Sequence, residues 1–333
     1  METQIRSFTP VNISPLEPAF TRHPDGITAV DTEYLRSGLA AAHVIEHAGR
    51  AAIVDAGTIH SVPYLLAALE RLGIVPAAVE YLFITHVHLD HAGGAGRLLQ
   101  ELPNARAVVH PRGAPHLIAP EKLIAASKVV YGEQRYLELY GDLVAIPPER
   151  VVVTADGQRF ELGGRPFECV HTPGHALHHQ CLVDLAHAGI FTGDTFGLSY
   201  RPFDTERGAF IVPTTTPTQF DPDQLVASID RLLAYKPRAA YLTHFSRVTG
   251  VLRLGAELKA GVRHLVDIAR RHAGAPDRVA AIAAAIRDLW VGQARDHGSA
   301  LSEATMIDLL TLDIDLNAQG LAAWLDRERR VGA

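Results

Sequence analysis

Residues 81–94 read Tyr81-Leu82-Phe83-Ile84-Thr85-His86-Val87-His88-Leu89-Asp90-His91-Ala92-Gly93-Gly94. An apolar run leads straight into four potential metal ligands and then into a Gly-Gly pair where a helix can start. Tyr81–Thr85 has the short apolar character of a buried strand. Side chains alternate along extended chain, so His86 and His88 project to the same side. The chain then turns, which lets Asp90 and His91 face a neighbouring point. Imidazole and carboxylate both bind divalent transition metals, and four such groups between residues 86 and 91 suit two adjacent ions better than one. The competing reading is a polar loop that happens to be rich in histidine; the density of ligand types behind a buried strand argues against it.

The remaining composition leaves room for such a site in an ordinary globular protein. The chain has 333 residues, 47% hydrophobic and 20% charged, enough for one large domain or a core domain with an appendage. A formal charge of −6 offers no basic surface for nucleic acid, and the mixed cluster Arg327-Glu328-Arg329-Arg330 reads as a solvated helix end. The two cysteines, Cys169 and Cys181, form no Cys-x-x-Cys pair, which disfavours a disulfide framework and a thiolate zinc site. Met1 to Phe20 mixes Glu2, Arg6, Glu17 and three prolines with its apolar residues, unlike a signal-peptide core, and no uninterrupted apolar run is long enough to span a bilayer. The expectation is a soluble cytoplasmic protein with a small-molecule substrate and neither nucleic-acid nor membrane partners. One count stands out: 18 histidines, many of them clustered in three short segments.

Along the chain, short apolar runs alternate with helical stretches as far as residue 245. Strands are expected at Ala41–Glu46, Ala51–Val54, Tyr81–Thr85, Ala107–His110, Val151–Thr154, Phe167–Val170, Gly189–Thr192 and Ala239–Thr243. Amphipathic segments at Ser61–Leu72, Ala95–Leu102, Gly113–Ala119 and Pro222–Tyr235 lie between several of them, a pattern that indicates layered α/β architecture. From about Leu252 the pattern changes to helices alone, over 255–273, 276–296 and 301–328, separated at Gly274, Pro276 and Gly298.

Four further motifs follow strands. They are Ile53-Val54-Asp55-Ala56-Gly57, Thr172-Pro173-Gly174-His175, Phe191-Thr192-Gly193-Asp194 and Tyr241-Leu242-Thr243-His244. Together with Thr85-His86-x-His88-x-Asp90-His91, and in this order, they resemble the hallmarks of the metallo-β-lactamase superfamily, which includes glyoxalase II, lactonases and many uncharacterised hydrolases. The resemblance implies an αββα sandwich: a metallo-β-lactamase-like catalytic domain over 1–250, with a helical C-terminal extension over 251–333 packed on it or onto a second copy in a homodimer. It also implies the ligand set. His86, His88 and His175 would hold one metal, and Asp90, His91 and His244 the second, with Asp194 bridging. The ions would be two divalent metals, zinc first, with iron or manganese as alternatives. Asp55 and His179 would orient the ligands, whereas His171, four residues before His175, would be a residue that packs or lies just behind the ligands rather than a ligand itself. Three protein ligands per ion leave a position open, as catalytic sites require. A hydroxide shared by two metals is a nucleophile near neutral pH without any serine or cysteine. The expected reaction is attack of that hydroxide on an ester, thioester or lactone carbonyl, with Asp90 and Asp194 as the catalytic carboxylates.

The branch marks of the superfamily narrow the choice. Class B β-lactamases lack the bridging aspartate, and flavodiiron oxygen reductases carry glutamate where this chain has His88. After Asp194 the chain reads Thr195-Phe196-Gly197-Leu198-Ser199-Tyr200-Arg201. That matches neither the glutathione-gripping segment of glyoxalase II nor the segment that marks persulfide dioxygenases, and Gly197 stands where quorum-quenching lactonases have a tyrosine. The outline is similar to an uncharacterised branch with Thr-Pro-Gly-His-Ala-x-His-His, a Thr/Pro-rich loop over Val212–Phe220, a closing Leu-Thr-His-Phe and a helical tail. Tyr200, Arg201 and Arg247 are the polar candidates for holding a substrate carbonyl or carboxylate, against an ordinary loop role for each. Fold does not settle chemistry, so two other readings stand beside hydrolysis: an iron-dependent oxygenase of persulfide-dioxygenase type, and a non-catalytic metal-binding protein.

Overall fold

The computed structural model describes residues 17–215 and 219–331; Met1 to residue 16, and 216–218 of the Thr/Pro-rich loop, lie outside the described residues. One sheet has seven strands in chain order. Its first four, β1 (Phe20–His23), β2 (Ile27–Asp31), β3 (Ala41–His47) and β4 (Arg50–Val54), form an antiparallel meander. The next three, β5 (Val79–Phe83), β6 (Arg106–Val109) and β7 (Val151–Val153), continue it in parallel. Parallel neighbours need crossover connections. The chain supplies α1 (Val62–Leu72) before β5, then α2 (Leu89–Ala92) and α3 (Ala95–Glu101) before β6. Before β7 come α4 (Ala114–Ile118), α5 (Glu121–Tyr131) and α6 (Glu133–Tyr140).

The second sheet begins as another meander, β8 (Gln158–Leu162), β9 (Arg165–His171), β10 (Gln180–Asp184) and β11 (Gly189–Gly193). A crossover through α7 (Pro222–Ala234) adds β12 (Ala239–Leu242) parallel to β11, and β13 (Ser246–Val248) closes the edge antiparallel. The start of α7 is set locally. The Asp221 carboxylate accepts the Gln224 amide hydrogen at 2.9 Å, and Pro222, which has no amide hydrogen to lose, occupies the first turn. Three long helices complete the chain: α8 (Val251–Arg271), α9 (Arg278–Asp296) and α10 (Glu303–Val331).

Strand alternation sorts the side chains into layers. In β4, Ala51 and Ile53 face α1 and α3, whereas Ala52 and Val54 face the other sheet and meet Phe83, Phe167, Leu182 and Phe191. The outer face of the second sheet, with Val170, Cys181, Val183 and Ile190, shares one core with Trp290, Leu310, Leu321 and Trp324 of the tail. The layers therefore run α/β/β/α, as the motif order implied. Burying each large apolar side chain is worth about 1.5–3 kcal/mol, which is why α8–α10 lie against the sandwich. Among the described residues no helix is long and apolar enough to cross a membrane. Both cysteines are buried and free.

The tail helices fall within a few residues of their expected bounds. Not anticipated were β1, β2, β8, β10 and β13, and the helix pair α5–α6. Gln180–Asp184 is buried on both faces and follows directly on the His178-His179 pair, so it shows no alternation to read. The α5–α6 pair is largely exposed and turns at Gly132, with a weak apolar stripe.

Candidate metal centre

The segments leaving β4, β5, β9, β11 and β12 converge where the carboxyl ends of these strands meet, the usual place for a site in an α/β fold. His86 and His88 follow β5, and His88 caps α2, whose single turn carries Asp90 and His91. The chain then passes so close to the loop after β4 that a Cβ on Gly94 would lie 2.6 Å from the Thr58 carbonyl oxygen and 2.7 Å from that of Ala56. His175 follows β9, Asp194 follows β11 and His244 follows β12. Gly193, at φ +47°, turns the chain just before Asp194; a Cβ there would sit 2.7 Å from His179 Nε2 and 2.8 Å from the Thr85 side chain.

These residues form two adjoining clusters. In the first, His86 Nε2 is 2.7 Å from His88 Nδ1, and His175 Nε2 is 3.2 Å from both His88 Nδ1 and Asp194 Oδ2. In the second, His91 Nε2 and His244 Nε2 lie 3.2 and 3.5 Å from Asp194 Oδ1 and 3.7 and 3.5 Å from Asp90 Oδ2. Donors arranged tetrahedrally on bonds of about 2.0–2.1 Å stand roughly 3.3 Å apart, so both clusters have the dimensions of a metal site. Asp194 turns one oxygen to each. Every cluster takes two groups from the first sheet and two from the second: His86 and His88 with His175 and Asp194, and Asp90 and His91 with His244 and Asp194.

The surrounding hydrogen bonds select which ring nitrogen faces inward. His91 Nδ1 donates to Asp55 Oδ2 at 2.8 Å, and His244 Nδ1 donates to the Leu39 carbonyl at 2.9 Å, so Nε2 of each points into the cluster. Asp55 is itself fixed by the Thr85 amide at 2.8 Å and the Thr243 hydroxyl at 3.1 Å. His179 Nε2 accepts the Asp194 amide hydrogen at 3.1 Å, while its Nδ1 meets the Thr172 and Thr195 hydroxyls at 2.8 and 3.1 Å. Asp55 and His179 thus hydrogen-bond His91 and Asp194, members of the two clusters.

The electrostatics are those of a cation site. Burial lowers the His86 imidazole well below its ordinary value, and the surrounding histidines add to the effect. Burial opposes protonation of His91 too, but Asp194, Asp90 and Asp55 outweigh it and hold that ring well above its usual range. At His244 burial is likewise overcome, by Asp194 and Asp90, which bring it up to about 9. Burial would raise Asp90, yet His91 and His244 bring it down to about 2. Two buried atoms, His91 Nε2 and Asp194 Oδ1, make no hydrogen bond although they are 3.2 Å apart. Unsatisfied buried atoms of this kind need a partner, and a divalent ion fits the nitrogen–oxygen donor set.

Beside the clusters opens a cleft of about 380 Å³. His88, Asp90, His175, Asp194 and His244 contribute to its lining, and so does Asp313 of α10. Tyr200, Arg201 and Arg247 do not. The Tyr200 hydroxyl donates to Asp313 Oδ2 at 2.9 Å beneath the surface of the cleft. Arg201 bonds the Ser199 carbonyl at 2.6 Å and pairs with Asp204 at 3.0 Å. Arg247 lines a separate depression with Asp25, His187 and Arg238. His171 stays out of both clusters, its Nε2 on the Thr154 hydroxyl at 3.1 Å and its ring 4.1 Å from that of His110. The sequence reading missed Asp313. Burial pushes its carboxyl up to about 6, against the pull of His244, Tyr200 and Arg36.

The chain is similar to known proteins. The family model described as the metallo-beta-lactamase superfamily matches residues 36–244, and the chain belongs to that superfamily. A metallo-beta-lactamase fold-containing protein of Sulfurisphaera tokodaii is 29% identical over 170 residues, covering 50% of this chain and 60% of its own length. A hydroxyacylglutathione hydrolase of Xanthomonas axonopodis is 31% identical over 183 residues, covering 54% of this chain and 52% of its own. The chain thus spans little more than half the length of these relatives. Among solved structures, a metallo-beta-lactamase family protein of Thermus thermophilus shares the fold over 95% of this chain and 93% of its own, with a TM-score of 0.62 at 21% identity.

Proposed function

We propose that the protein is a dinuclear metal-dependent hydrolase that cleaves an ester, thioester or lactone. The observation that carries the reading is Asp194, whose two carboxylate oxygens each face a separate cluster of three further ligands at the floor of an open cleft. His86, His88 and His175 would hold one ion and Asp90, His91 and His244 the other, with Asp194 common to both. A bound pair of divalent ions supplies Lewis acidity and a water whose pKa is lowered toward neutrality.

The chain's own residues do the rest. Asp194 fixes the spacing of the two clusters. Asp90, whose Oδ2 is 3.5 Å from His244 Nε2, has a cleft-lining carboxylate that can accept a hydrogen bond from the attacking water and orient it toward a carbonyl. Asp55 and His179 keep His91 and Asp194 in register. Relatives support the carbonyl chemistry: besides the hydroxyacylglutathione hydrolase, an atrochrysone carboxyl ACP thioesterase of Aspergillus chevalieri is 31% identical over 111 residues.

The test is metal analysis of purified protein followed by a panel of lactones, thioesters and aryl esters. Two transition-metal ions per chain with turnover on the panel is the expected result. Oxygen consumption without hydrolysis would transfer the site to iron-dependent oxygenase chemistry.

A further inference from the structure

Beyond the ligand residues the cleft has two apolar walls. One is the α5–α6 pair, through Leu123, Tyr131 and Leu139; the other is the loop after β2 together with α10, through Leu35, Leu312 and Leu316. Scattered exposed leucines need no explanation. Here, however, Leu35 (48% exposed), Tyr131 (40%) and Leu312 (37%) all belong to one cleft that ends at the candidate metal centre. An apolar rim on such a cleft marks a surface that a ligand covers.

Several polar groups among these walls are already engaged. The Tyr34 and Tyr140 hydroxyls bond each other at 3.0 Å, and Asp313 accepts from Tyr200. Apart from the ligand histidines, the cation in the lining is Arg135, a half-exposed side chain paired with Glu138 at 3.3 Å. Among the described residues of this lining a negatively charged tail would find no cation besides the paired Arg135, and it would meet the Asp313 carboxyl, whose neighbour Arg36 lies outside the lining. The volume of about 380 Å³ is near the lower end of small-molecule sites, which run from roughly 300 to 1,000 Å³.

We infer that the cleft selects an uncharged, apolar acyl group of medium length, laid between α5–α6 and α10 with its carbonyl at the candidate metal centre. The inference rests on the hydrolase reading and names the substrate class for that same site.

The test uses the metal-loaded full chain with p-nitrophenyl acetate, butyrate and hexanoate, and the p-nitrophenyl half-ester of adipic acid. Affinities for acetohydroxamate, hexanohydroxamate and the monohydroxamate of adipic acid give a binding readout independent of turnover. Both kcat/KM and affinity should rise by roughly threefold to fourfold per methylene, the effect of burying one CH2. The adipic compounds should fall back to the acetyl level or below. Leu316→Ser should lower the hexanoyl-to-acetyl ratio in both series. A flat series or a preference for the adipic compounds overturns the inference while leaving the hydrolase reading intact. If no ester is turned over by protein carrying two metals, the hydrolase reading fails. The hydroxamates then decide the inference alone: a chain-length gain supports it, and its absence overturns it.

Discussion

Asp194 and Asp90 are both carboxylates at the candidate centre, yet their surroundings assign them different tasks. Asp194 lies between the clusters, so Asp194→Asn should lower metal content and activity together. Asp90 belongs to one cluster and also reaches the cleft. Asp90→Asn should keep substantial metal while kcat falls on the order of a hundredfold or more, the cost of one transition-state electrostatic contact. Assays at matched metal content check this. The histidine pair four residues apart makes a sharper contrast. His175→Ala should strip metal, and His171→Ala should retain it, because His171 is spent on Thr154 and His110. Protons provide a third readout. In the metal-free protein His91 is held well above its ordinary pKa and His244 at about 9, so both carry protons at neutral pH. A metal needs their free Nε2 lone pairs, and loading should release protons. Apparent affinity should accordingly climb as pH rises toward 9; calorimetry in buffers of different ionisation enthalpy measures the release. The residues that gather in the two clusters were legible because each sits in a short motif after a strand. Tyr200, Arg201 and Arg247 were chosen for polarity and nearness in sequence, which do not say which way a side chain turns. The partner that claims Tyr200 comes from α10, more than a hundred residues away, and no local pattern announces it.

At the level of elements, α10 does two things. Its apolar side packs with α9 and the second sheet, and Leu312, Asp313 and Leu316 reach the cleft. The tail was readable as helix from its Gly and Pro breaks, and its need for burial from its leucines, but not its contribution to the cleft. That contribution depends on how α10 lies across the sandwich, a property of packing rather than of periodicity. Trp290 on α9 tests the packing away from the chemistry, since it is fully buried in the core that joins tail and sheet. Trp290→Ala should destabilise the fold by about 3–5 kcal/mol through lost contacts and a residual cavity. Denaturant unfolding at matched metal content measures the loss. The α5–α6 wall was unreadable for a different reason: Leu123, Tyr131 and Leu139 line the cleft and Tyr136 packs only in a small cluster with Leu89 and Tyr140, so the stripe that betrays a helix packed on a large core is weak in α5.

For the molecule as a whole, the layer order followed from the alternation of strands and helices, and the missing strands were those that show no clear alternation or lie at sheet edges. Five motifs far apart in the chain agree on one point in space, which constrains topology more tightly than any secondary-structure pattern. That point lies across the seam of the sandwich. Each cluster draws half of its groups from either sheet, so an ion bound there would rivet the halves together along one edge. Occupancy should then be thermodynamically linked to folding, because a ligand that binds only the native state raises its stability by RT ln(1 + [L]/Kd). Chelation should lower Tm, and added metal should restore it in a concentration-dependent way. Without the rivets the seam should breathe: amide hydrogen exchange should quicken first in the segments just beyond β5, β11 and β12, while the far edge, where Arg165 is locked to Asp184 at 2.6 Å, keeps its protection.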